Sequence, residues 1–160
     1  MERDDERSGE RGSARPGGAG LMVFETALGG AALLVGRVVF AAVLGFLALG
    51  NLRELDETVA YAESKGAPAA RLTVPMASVA LVGGAGSILL GAAPALGALA
   101  VLGFLVGVTP VMHDFWNQEG MDRQNEQIHF LKNAGLAGTT VVFLAVAATP
   151  WPYAVGPTLL

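Results

Sequence analysis

An all-α, membrane-spanning fold follows from three features of this 160-residue chain. Hydrophobic residues make up 52% of it and charged residues only 15%, well below the ~25% usual in soluble domains. The charges are concentrated in the first 15 residues, in 51–71 and in 113–132. Between these segments lie apolar stretches long enough to cross the ~30 Å hydrocarbon layer as helices. The expected architecture is an integral membrane four-helix bundle with a disordered N-terminal tail. Its parts are a charged tail over 1–22, a transmembrane domain over 23–153 and a short C-terminal tail over 154–160.

Residues 1–20 hold five acids, four arginines and five glycines, with no large apolar residue after Met1. Such a segment buries too little surface to offset its ordering entropy. Its mixed charge, and the length of the apolar run that follows, do not fit a signal peptide.

The first span is expected at about Ala27 to Leu49, interrupted only by Arg37. Residues 51–66 read as a short amphipathic helix, with Leu52, Leu55, Val59 and Ala62 at helical spacing. Gly66 suits its C′ position and Pro68 stops the chain soon after. This piece is either a helix on the membrane surface or a solvated connector. The second span, about Leu72–Leu90, and the third, about Ala95–Met112, form a hairpin through Gly91-Ala92-Ala93-Pro94, with Pro94 in a first turn. Pro110 is expected to kink or loosen the last turn of the third span. The fourth span covers about Ile128–Ala148 on a helix that begins near Met121. Trp151 and Tyr153 beyond it suit an interfacial aromatic belt. Gly103/Gly107, Ala41/Gly45, Ser87/Gly91 and Ala134/Gly138 share the small-xxx-small spacing that lets helices approach closely in lipid. Basic residues divide four against five between the two sides, so the positive-inside bias favours neither orientation.

The chain contains no cysteine. That excludes disulfides, thiolate nucleophiles and cysteine-ligated zinc or iron–sulfur centres. Any redox role therefore runs through a bound cofactor or a partner. The net charge of −4 is mild and provides no basic patch for nucleic acid.

The segment 113–133, HDFWNQEGMDRQNEQIHFLKN, holds both histidines and is richer than a connector requires. On a helix starting near Met121, steps of three or four link Asp122, Asn125, Glu126, His129, Lys132 and Asn133 into one polar stripe. His113 and Asp114 arrive at the same level from the end of the third span. A histidine beside a carboxylate can pass a proton near neutral pH. Phe115 and Trp116 would offer a flat wall to a ring-shaped ligand. The bland reading is an interfacial cluster in which Lys132 snorkels and Trp116 anchors. His113, Asp114, Glu126 and His129 also contain the donor types of a metal site, and two histidines can ligate haem, but no ligand spacing supports either.

Arg37 stands eleven residues into its apolar run. A charge near mid-membrane costs ~2.5 kcal/mol or more unless paired. Asp114, Glu126 and exposed carbonyls near Pro110 are the partners expected if they share its depth. Otherwise the embedded part begins near Arg37, which then lies at a headgroup.

Gly36-Arg37, the YAESKGAP segment 61–68, the glycine-rich second span, His113-Asp114-Phe115-Trp116 and the 127–133 segment QIHFLKN together resemble the DoxX family of small membrane proteins. The resemblance covers about residues 36–148. It implies about four transmembrane helices and, for some relatives, a link to membrane oxidoreductase assemblies such as thiosulfate:quinone oxidoreductase. Many relatives carry a glutamate in the second span. Ser78 to Gly86 holds no acid, so a mechanism relying on that glutamate has no counterpart residue here.

Two functions follow as expectations. The first is an accessory or membrane subunit, not a catalyst on its own, of a quinone-linked or oxidative-stress redox system in the cell membrane. Its partner would be an oxidoreductase or a second copy, and a quinone is the cofactor class its residues would suit better than haem or a metal. The second is a non-enzymatic bundle that passes a small solute or protons, or anchors a partner.

Overall fold

A computed structural model describes residue 24 and residues 26–156. The 1–22 tail and residues 157–160 lie outside the described residues. Among the described residues are five α-helices and one short 3-10 turn: α1 (Ala27–Arg53), α2 (Leu55–Ser64), α3 (Ala70–Leu90), α4 (Pro94–Met112), the turn Phe115–Asn117, and α5 (Gly120–Val146). No strand occurs among the described residues. Four of the helices, α1, α3, α4 and α5, are long and apolar enough to cross a membrane.

Each boundary has a local cause. Thr26 caps α1, its Oγ1 accepting from the Gly29 N–H at 3.0 Å. α1 runs past the expected end at Leu49 and stops at Arg53, and α2 follows after Glu54. Gly66, at φ +78°, ends α2 as expected: its N–H donates to Glu63 O and the Ala67 N–H to Ala62 O, the paired bonds of a Schellman cap. Gly91, at φ +67°, ends α3 the same way through Ile88 O and Ser87 O. Pro94 opens α4, where its missing N–H costs nothing. Pro110 lies in the last turns of α4, and the helix continues to Met112.

α1 packs along α3, α3 along α4, and α4 along α5. Leu44, Leu81, Ile88, Val101, Leu105 and Phe143 form the shared core. Large apolar side chains such as Val35, Phe46, Met76, Val79, Val106 and Val142 point outward. An outward apolar surface on this scale fits contact with lipid rather than water. α1 and α5 do not run backbone-close. They meet through side chains, with Phe40 against Phe143 at 5.1 Å between ring centroids.

The close helix contact falls where the spacing rule did not put it. A Cβ on Gly84 would stand 2.9 Å from Gly97 O, and one on Gly97 would stand 2.6 Å from Ser87 Cβ. A Cβ on Gly45, Gly103, Gly107 or Gly138 would meet nothing within 4 Å. Of the expected small pairs, only Ser87/Gly91 includes a glycine in a tight site. The α3–α4 hairpin closes on Gly84 and Gly97.

Gly97→Leu should therefore lower stability by about 1–3 kcal/mol through overpacking, while Gly103→Leu should leave it nearly unchanged. Thermal unfolding of both variants in the same detergent checks the contrast.

Candidate functional site

The structure divides the expected polar cluster into two centres at opposite ends of the bundle. Arg37 and Asn51, which lies at the second centre, are roughly 20 Å apart along α1 at 1.5 Å per residue.

Arg37 is fully buried. It pairs with neither Asp114 nor Glu126, and not with carbonyls near Pro110. Its Nε donates to Ile88 O at 2.9 Å and its Nη1 to Pro152 O at 2.9 Å, while Nη2 donates to Leu89 O. The guanidinium also lies 5.2 Å from the centroid of the Trp151 ring. α3 runs antiparallel to α1, so its C-terminal carbonyls arrive at the level of Arg37. The carboxylates sit at the other end. The planar five-donor guanidinium suits this fork of acceptors, and its charge complements the negative end of α3. Trp151, expected at an interfacial belt, is buried instead, donating to Val146 O at 2.8 Å and packing on Phe143. Tyr153 stays exposed.

The second centre gathers residues from three elements. Glu126, nearly two turns into α5, accepts from Lys65 Nζ through Oε1 at 2.8 Å and bonds His113 Nδ1 through Oε2 at 2.8 Å. Lys65, just after α2, also reaches Asp114 Oδ1 at 3.4 Å. Asn117 and Gln118 donate to the same Asp114 carboxylate. The His113 and His129 rings stack at 5.2 Å with 15° between their planes. Deeper in, Asn133 Nδ2 donates to Thr109 Oγ1 at 3.2 Å and ties α5 to α4. The Lys65 ammonium is held well above the usual lysine range, first by its hydrogen bond to Glu126.

These groups rim a cleft. Tyr61, Lys65, His113, Asn125, Glu126 and His129 line a polar mouth of about 550 Å³. Beneath it a chamber of about 460 Å³ shares Tyr61, His113 and His129 and descends between Leu44, Leu81, Phe104, Leu105 and Leu136. The chamber exists because α1 and α5 are not packed together at this end. A neutral apolar body fits its depth, and hydrogen-bonding groups wait at its rim.

Three site expectations change. Phe115 and Trp116 do not line the cleft; they pack on each other and on Phe130, with centroids 5.2–6.0 Å apart. Lys132 is exposed and lies outside the cleft lining. Lys65 and Tyr61, absent from the sequence-derived site, belong to it. The short helix α2 packs on α3 with Ala62 buried. The signal for Lys65 was its place as a lone cation after a helix rich in acids. Among the described residues, no three histidine or carboxylate side chains are grouped to hold a metal ion.

The fold and its charged end define a class: a multi-pass helical membrane protein with four spans and a polar-mouthed cleft. The family model DoxX matches residues 32–114, just over half of the chain, and the protein belongs to the DoxX family. The match includes Arg37, Lys65, His113 and Asp114 and ends before α5, so Glu126 and His129 lie beyond it. No curated protein and no solved structure matches the chain.

Removing the buried fork by Arg37→Met should cost about 3 kcal/mol or more, because carbonyls lose a charged donor inside the fold. Arg37→Lys should recover little of it, since one ammonium cannot span three acceptors. Melting temperatures in detergent measure both. Lys65→Met should cost about 1–3 kcal/mol, between the values for exposed and buried pairs. Because folding raises the Lys65 pKa from 10.5, its contribution is complete below that value and is lost as pH climbs through the raised one. The variant should therefore lose stability at neutral pH and show a flatter alkaline fall, read from melts across pH.

Proposed function

We propose that this DoxX protein is the membrane subunit of a quinone-linked redox system in the cell membrane, working with an oxidoreductase partner. The observation that carries the reading is the cleft itself, an apolar chamber whose mouth holds a histidine hydrogen-bonded to a carboxylate. A quinone pairs an apolar ring and tail with two carbonyl oxygens that take up protons when the ring is reduced. The apolar walls at Leu44, Phe104 and Leu105 would hold the ring and keep water out.

The rim provides a proton path. His129 and His113 stand next to the chamber. A proton taken up at Glu126 Oε2 passes to His113 Nδ1 beside the chamber, while Lys65 joins Glu126 to Asp114, which bonds Asn117 and Gln118 in the connector. Lys65 holds both carboxylates in place and offsets their charge. The electrons come from the partner, because the chain has no cysteine to hold a redox centre. The family match supports this reading through the redox assemblies to which some DoxX proteins are linked.

Purification in mild detergent should retain a quinone or an oxidoreductase, identified by mass spectrometry. Glu126→Gln should leave the complex intact and lower its quinone-dependent turnover by ~100-fold, the low end for loss of a proton-transfer group. A protein that retains neither quinone nor partner, or a variant with full turnover, would count against the proposal.

A further inference from the structure

A second chamber, of about 280 Å³, lies beneath α2 between α3 and α4. Val74, Ala77, Phe104, Gly107 and Val111 supply much of its lining, and no charged residue lines it. It is separated from the cleft by shared wall residues, among them Asn51, Phe104 and Met112.

Its hydroxyl groups are not equivalent. Thr58 Oγ1 is engaged by Glu54 O at 2.8 Å, and Thr73 Oγ1 by Pro68 O at 3.1 Å. Ser78 differs. It is 1% exposed, lines the chamber, and has no hydrogen-bond partner among the described residues. Its oxygen is not sealed away, and Ser78 is one of the residues that line this chamber. A hydroxyl within a helix usually bonds back to the carbonyl four residues earlier, and leaving it unbonded in apolar surroundings costs free energy. Ser78 is eight residues into α3, roughly 12 Å along the helix at 1.5 Å per residue. In a 21-residue helix long and apolar enough to span the hydrocarbon, that is near the middle.

We infer that this chamber is a binding site for a neutral, apolar, carbonyl-bearing molecule dissolved in the membrane, with Ser78 donating a hydrogen bond to the carbonyl. A charged ligand has no counter-charge there. A purely aliphatic chain would leave the Ser78 donor unpaired. Gly107 keeps the volume open: a Cβ at that position would meet nothing within 4 Å, so a larger side chain there would project into free space. Ser78 and Gly107 line this chamber and not the cleft, and the site stands whether or not the cleft binds quinone.

The test is equilibrium binding to the full chain in lipid nanodiscs, with a fully substituted decylbenzoquinone as probe and decylbenzene as its carbonyl-free match. Ser78→Ala should weaken the quinone probe at one site by about two- to tenfold, the worth of one hydrogen bond, and leave decylbenzene unchanged. The probe's carbonyl stretch should shift on binding to the parent and not to Ser78→Ala. Gly107→Leu should remove that site while the melting temperature holds. Leu136→Trp, which fills the cleft, should spare it. If Ser78→Ala and Gly107→Leu leave affinity, stoichiometry and carbonyl stretch unchanged, the chamber inference is overturned. If Leu136→Trp alone abolishes all binding, the chamber inference also fails and the cleft reading stands. Binding lost with Gly107→Leu and untouched by Leu136→Trp supports the chamber and removes the cleft.

Discussion

The buried fork between Arg37 and the end of α3 organises the rest of the molecule. A helix that ends inside a membrane protein must find partners for its last carbonyls. Here the donors are the Arg37 guanidinium for Ile88 and Leu89, the turn N–H of Ala92 for Ser87, and the Val155 N–H for Leu90. The same guanidinium holds Pro152 O. One side chain thus ties α1, α3 and the segment after α5 into a closed end, reinforced by Trp151 on Phe143 and by Phe143 on Phe40. With that end fixed, α1 and α5 are free to stand apart at the other, and the cleft occupies the gap. Rigidity at one end and an opening at the other are two sides of one arrangement.

The open end is balanced by charge rather than by close packing. Asp114 and Glu126 bring two negative charges and Lys65 one positive, so the group carries a deficit of one that a proton on His113 would cancel. The side chains are partly exposed, so the remaining negative charge is left to solvent at the mouth rather than buried in the bundle. The bonds that maintain this balance join α2, the connector and α5, and so they also set the position of the short helix over the cleft.

Much of the fold was legible because lipid imposes a strong one-dimensional constraint: long apolar runs must be helices, and sharp polar breaks mark their ends. The spans, the α3–α4 turn and the Gly66 cap follow from that constraint. What was not legible depended on register between elements. Arg37 looked like a mid-membrane charge in search of a carboxylate, since no linear pattern shows that α3 stops at its level. Gly103 and Gly107 had the expected spacing but face open space, whereas Gly84 and Gly97 have no such spacing with each other and form the contact. In a chain with 22 glycines, spacing alone cannot separate a contact from a coincidence. On α5 the helical spacing is enough to put Glu126, His129 and Asn133 on the side that meets α4 and the connector. Lys65 escaped because its partners lie 49 and 61 positions away.

The anchoring of α3 by residues 150–155 also bears on how the protein is made. The α3–α4 hairpin can enter the bilayer as soon as it is synthesised, but Pro152 and Val155 leave the ribosome only after the last span has been translated. Until then Leu90 O has no donor and the Arg37 fork is incomplete, so the nascent bundle waits in a loosened form. Closure of the arginine end therefore comes late in synthesis, after α5 has been added, because its last bonds are made by residues that follow that helix.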